Sequence, residues 1–148
     1  RGARAPGAER APGFQEEATG GSSINAEFQG AFHRSLGSPA IKDDVLVIGD
    51  FAGLVHCLDA KTGRAWWTCD IQSGIWGTPL IADGKIYLGD QDGDVLVFEF
   101  GTKLKVLAKN NMAGPVHGTP VAAGNVLYIA TASHLFAIAT TDNGTAIP

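Results

Sequence analysis

Gly37-Ser38-Pro39, Gly77-Thr78-Pro79 and Gly118-Thr119-Pro120 are near-copies of one tripeptide, set 40 and then 41 positions apart. Each is followed by an apolar pair and a short turn containing Asp, Gly or Asn. The same interval carries Gly49-Asp50 onto Gly89-Asp90 and Gly53 onto Gly93. A repeat of this length makes each unit one supersecondary element, unable to bury its apolar face until a neighbour stacks on it.

Working outward from the first tripeptide, four runs rich in β-branched or aromatic residues follow: Ser38 to Ile41, Val45 to Asp50, Leu54 to Asp59 and Arg64 to Cys69. Lys-Asp-Asp, Gly and Thr-Gly residues punctuate them, which predicts a four-stranded antiparallel meander. The second unit repeats it as Thr78 to Ala82, Lys85 to Gly89, Val95 to Phe100 and Leu104 to Ala108. The third offers Thr119 to Ala122, Val126 to Ala130 and Leu135 to Ile138, then the turn residues Thr140-Thr141-Asp142-Asn143-Gly144. The expected fold is all-β: a partial β-propeller of about three four-stranded antiparallel blades, the last incomplete, over 38–77, 78–118 and 119–148. Ile24 to Leu36 precedes the first tripeptide as a last strand would, so 24–37 is a candidate remnant of an earlier blade.

Propellers close with about four to eight blades, so the open flanks call for the remaining blades of a longer chain, a protein partner or self-association. Truncation is the favoured expectation, since the sole methionine is Met112. Residues 1–23 hold almost no large apolar side chains and read as a disordered tail or linker. That tail has no apolar run of the signal-peptide kind, so it identifies no compartment. A hydrophobic content of 45% and a net charge of -4 suit a globular chain. No stretch approaches the roughly 20 apolar residues of a membrane span, and no basic cluster suits nucleic acid. Cys57 and Cys69 are too few for a disulfide framework. A hairpin pairing Asp59 with Arg64 would place the two sulfurs on opposite sheet faces, predicting free thiols.

Leu58-Asp59-Ala60-Lys61-Thr62-Gly63-Arg64-Ala65-Trp66-Trp67 resembles the quinoprotein-type repeat of PQQ-like propellers. The resemblance covers roughly Ser38 to Ala139 and extends to the non-catalytic propellers of the outer-membrane β-barrel assembly lipoprotein. It implies that Trp67 docks between adjacent blades and favours a periplasmic or otherwise extracytoplasmic, bacterial protein. On the residues themselves, Gly63 suits a positive φ, Asp59 can accept bonds from the turn amides, and Thr62 completes the hairpin. The second unit is degenerate, with Val106 or Leu107 where the tryptophan would stand, and the third keeps only Ala137-Ile138-Ala139. WD-repeat propellers are the neighbouring alternative, but no Trp-Asp ends a third strand and no Gly-His opens a unit.

No convergent catalytic set is legible. Asp90-Gln91-Asp92-Gly93-Asp94 has calcium-loop spacing, yet its twelfth position is Gly101 rather than Glu and its flanks read as strands. His33, His56, His117 and His134 lack metal-ligand spacing. No Gly-x-Ser-x-Gly elbow appears, and the Gly-rich turns lack the strand-to-helix setting of phosphate loops. Asn143-Gly144-Thr145 is formally a glycosylation sequon but reads as a hairpin turn.

In a blade, the loops between second and third strands share a ring face with the blade-to-blade linkers. Asp50, Phe51, Trp76, Asp90, Gln91 and His117 are therefore candidate partner-binding residues. The leading functional reading is a non-catalytic segment for protein or ligand binding, with no cofactor expected. The alternatives are a fragment of an alcohol or sugar dehydrogenase, holding PQQ and calcium at the ring centre, and a sensor or docking domain of a larger multidomain protein. The dehydrogenase class carries Asp, Glu and Asn metal ligands and often adjacent cysteines, neither recognisable here.

Overall fold

A computed structural model describes residues 15–17 and 32–139. The strands are β1 (Gln15–Glu17), β2 (Ala40–Lys42), β3 (Val45–Gly49), β4 (Leu54–Asp59), β5 (Ala65–Asp70), β6 (Leu80–Ala82), β7 (Lys85–Gly89), β8 (Asp94–Glu99), β9 (Val106–Asn111), β10 (Val121–Ala123), β11 (Val126–Ala130) and β12 (Leu135–Ala139). They form three antiparallel meanders, in the orders β1-β5-β4-β3-β2, β6-β7-β8-β9 and β10-β11-β12. The fold is a partial propeller.

Local chemistry sets each hairpin. The first turns of the three sheets centre on Asp43-Asp44, Asp83-Gly84 and Gly124-Asn125, all with φ between 48° and 64°. Two successive positive φ values make the turn whose twist matches that of its strands. At the next turn, Asp50 Oδ1 accepts from the Ala52 and Leu54 amides, each at 2.9 Å. Asp90 Oδ1 does the same for Asp92 and Asp94 at 2.9 Å, and Thr131 Oγ1 for Ser133 and His134 at 3.3 and 3.0 Å.

The repeated tripeptides form the inner seam between sheets. A Cβ at Gly37 would strike the Gly77 carbonyl, and one at Gly77 would lie 2.7 Å from the Gly118 carbonyl. Beside them the Ser38 amide donates to Thr78 Oγ1 at 2.9 Å, and the Thr78 amide to Thr119 Oγ1 at 3.0 Å. Further out, Ile75 fills the space above Gly49, and Val116 that above Gly89, so neither glycine leaves room for a Cβ. The linker at residues 32–37 plays the same part ahead of the first sheet: the Phe51 amide donates to the Arg34 carbonyl, as Gln91 does to Gly74 and Ala132 to Pro115.

Two clusters make the core. Val47, Val55, Cys57, Trp67 and Cys69 of the first sheet meet Ile86, Leu88, Leu96 and Phe98 of the second. A smaller cluster, Val95, Val116 and Ile129, joins the second sheet to the third.

Three details differ from the sequence expectation. Part of the tail expected to be disordered, Gln15–Glu17, pairs with β5 from Gln15↔Asp70 to Glu17↔Thr68, because the outer edge of β5 offers unpaired backbone groups. The fourth strand of the second unit runs to Asn111 rather than ending at Ala108. A bulge between Cys57 and Leu58 pairs Cys57 with Trp67 and Val55 with Cys69, so the two cysteines share one face instead of opposing each other. Both are buried, and neither forms a disulfide. Burial pushes the Cys57 thiol up to about 12. The Asn143-Gly144-Thr145 sequence and residues 18–31 lie outside the described residues.

Candidate functional site

The ring face formed by linkers and second turns gathers an aromatic stripe. Leu36, Trp76 and His117 occupy one repeat position in successive linkers, and Phe51 and Gln91 one position in successive turns. The Phe51 ring meets Trp76 edge-on at 5.1 Å, and Trp76 packs against His117 at 4.9 Å. The Arg34 guanidinium sits 4.9 Å over Phe51, and Trp76 Nε1 donates to Gln91 Oε1 at 3.1 Å. His117 and Gln91 are exposed, and Phe51 and Trp76 are half-buried. The array crosses three linkers and two turns, presenting cation, π-faces and amide together.

Asp50 and Asp90, expected on that face, are fully buried beneath it. Their carboxylates have gone to the turn amides, which leaves them no partner-facing surface. Sequence reasoning also missed what surrounds them. His33 donates its amide to Asp50 Oδ2 at 3.1 Å and brings Nδ1 to the same oxygen at 3.1 Å, while His56 Nε2 lies 3.5 Å away. Thr68 holds the other nitrogen of His56 at 3.3 Å, and Phe32 covers its ring at 5.4 Å. Burial pushes the Asp50 carboxyl up, but His56 and the Leu54 and His33 amides outweigh it and hold it below the usual carboxylate range. At the equivalent of His33 the second unit has Ser73, and at that of His56 it has Leu96. Asp90 Oδ2 is accordingly buried without a hydrogen-bond partner, and burial raises that carboxyl above its ordinary value. The shared 40-residue spacing of the two Gly-Asp pairs was the signal that could have marked both as turn anchors.

The signature residues separate into two jobs. Asp59 Oδ1 accepts from the Lys61 and Thr62 amides at 2.9 and 2.8 Å, Thr62 Oγ1 accepts from the Arg64 amide at 3.3 Å, and Gly63 takes φ 66°. All three build the hairpin. Trp67 alone reaches the next sheet: it is 1% exposed, stacks on Phe98 at 5.7 Å and donates Nε1 to the Gly101 carbonyl at 3.1 Å. In the second sheet Val97 pairs with Ala108, as Cys57 does with Trp67. Ala108, not Val106 or Leu107, therefore stands at the tryptophan position; the bulge displaced the count by one.

Among the described residues no group of three or more His, Cys, Asp or Glu side chains could hold a metal ion. No helix there is long and apolar enough to cross a membrane.

The family model described as "Outer membrane protein assembly factor BamB" matches residues 15–142. The chain belongs to the BamB family of PQQ-like repeat proteins. BamB of Shewanella oneidensis is 36% identical over 66 residues, 44% of this chain and 17% of its own length. BamB of Escherichia coli is 38% identical over 65 residues, 43% of this chain and 16% of that protein. Among solved structures, BamB from Moraxella catarrhalis superposes with a TM-score of 0.61 at 25% identity, covering 70% of this chain and 34% of that one. A quinohemoprotein alcohol dehydrogenase from Pseudomonas putida gives 0.59 at 19% identity, over 65% of this chain and 16% of that one, which is likeness of fold alone. The matches thus span about a sixth of the curated BamB relatives.

Proposed function

We propose that this segment is a non-catalytic piece of propeller wall that docks a protein partner through the Arg34–Phe51–Trp76–His117 stripe, in an extracytoplasmic compartment. The stripe carries the reading, because aromatic and arginine side chains grouped on a rigid scaffold are what binding hot spots are made of. Membership of a family described as an outer membrane protein assembly factor supports a role in handling other proteins rather than transforming a small molecule. The flanks support a longer assembly. Ile41 and Leu36 at one end, and Leu135 and Val121 at the other, are 60%, 50%, 70% and 54% exposed, and further blades of a complete ring would cover them.

A photo-crosslinking residue at position 117 of the full-length protein, in its native cells, tests the docking face. One discrete protein adduct is expected, lost with Trp76→Ala and kept with Leu135→Ala. Absence of any adduct, together with quinone- and calcium-dependent dye reduction by the full-length protein, would sink the reading in favour of the dehydrogenase.

A further inference from the structure

The second and third sheets flank an open cleft of about 830 Å³ at their junction, lined by Tyr87, Val95 and Val97 on one wall and Leu127, Ile129 and Ile138 on the other. At the first junction the same place is solid. There the Trp67 indole stacks on the Phe98 ring. Strand register puts Ala108 at the tryptophan position, beside Val97, and Ile138 at the phenylalanine position, since Leu127 pairs with Ile138 as Ile86 does with Phe98. Two stacked rings have been replaced by a methyl group and a branched aliphatic side chain. The walls cannot simply close the gap, because the inner seam fixes their spacing: Gly77 lies against the Gly118 carbonyl, and Val116 against Gly89.

We propose that this cleft binds an uncharged, flat aromatic small molecule of about two linked ring systems. The volume and mainly apolar lining fall within the range of small-molecule pockets, and apolar cavities of this kind accept aromatic guests. Asn110, Asn125 and the Tyr87 hydroxyl supply polar atoms for orientation. The lining includes Asp83 and no Lys, Arg or His, so an anionic guest finds no countercharge.

The test is a fluorescence titration of the full-length protein with N-phenyl-1-naphthylamine, an uncharged probe joining a bicyclic to a monocyclic ring. Saturable one-to-one binding is expected, with Kd on the order of 10 µM for a ligand of this size. The anionic 1-anilinonaphthalene-8-sulfonate should bind at least about tenfold more weakly, because nothing in the lining offsets its charge. Ala108→Trp should fill the cleft, weaken the uncharged probe by about tenfold or more and raise the melting temperature. Ile138→Phe provides a second filling variant if the first misfolds, and Leu135→Ala, outside the lining, should leave binding unchanged. The proposal falls if the wild-type chain shows no saturable binding by about 100 µM, ten times the expected Kd. Equal affinity in both filling variants and the wild type, or equal loss in Leu135→Ala, overturns it as well.

Discussion

The first junction between sheets is closed by Trp67 on Phe98, whereas the second, with Ala108 and Ile138 in those places, is open. Their inner seams are nonetheless alike, with the same glycine approach and the same amide-to-threonine bond. The comparison separates two functions of a repeat. Backbone and short side chains near the axis hold the blades in order, while bulky side chains at the periphery decide how tightly each pair is welded.

Trp67→Ala should be the most damaging single change, lowering unfolding free energy by about 3–5 kcal/mol in urea denaturation. A loss below about 1 kcal/mol would mean that the first junction does not depend on its indole and would erase the contrast.

Gly77→Ala should cost about 1–3 kcal/mol, since its Cβ lies 2.7 Å from the Gly118 carbonyl. Gly118→Ala meets nothing within 4 Å and should stay within about 0.5 kcal/mol of wild type. Equal melting temperatures for the two variants would remove the seam as a cause of blade spacing.

The buried carboxylates give a pH-dependent version of the same contrast. Asp50 is held below its unfolded value, so its stabilisation is present above about pH 4 and is lost as pH falls through the folded pKa. Asp90 is raised, so its contribution is full below about pH 4 and declines as pH rises through its folded pKa. Asp50→Asn should therefore cost about 1–3 kcal/mol at pH 7 and less at pH 3. Asp90→Asn should gain on wild type as pH is raised from about 4 to 7. Urea midpoints across that range decide the matter, and parallel pH profiles for the two variants would contradict it.

Leu107→Ala has the smallest expected effect, within about 0.5 kcal/mol, because Leu107 is 42% exposed and stands one place away from the tryptophan position. A core-sized loss would show that the pairing of β8 with β9 is shifted by one residue.

Much of the fold was legible because turn residues and apolar runs recur at one interval. The Thr62-Gly63 hairpin and the indole four residues beyond it could be placed from local chemistry alone. What failed was parity. A bulge adds one residue without disturbing the alternation on either side of it, so the cysteine faces and the counterpart of Trp67 were each misplaced by one. The site was half visible: Phe51, Trp76, Gln91 and His117 do converge on one stripe. Asp50 and Asp90 went underneath it, because a turn aspartate can look outward or fold back onto its own amides and composition does not distinguish the two. His33 and His56 were dismissed as isolated since only the fold brings residues 17 and 6 positions from Asp50 to the same oxygen.

The glycine stack at residues 37, 77 and 118 is main chain resting on main chain, so its gauge is set by peptide dimensions that substitution elsewhere cannot alter. An evolving copy of this arc can lose its peripheral rings, open new recesses or exchange its rim chemistry, while its pitch around the axis stays put. Diversity is free to accumulate at the circumference because the hub works as a ruler.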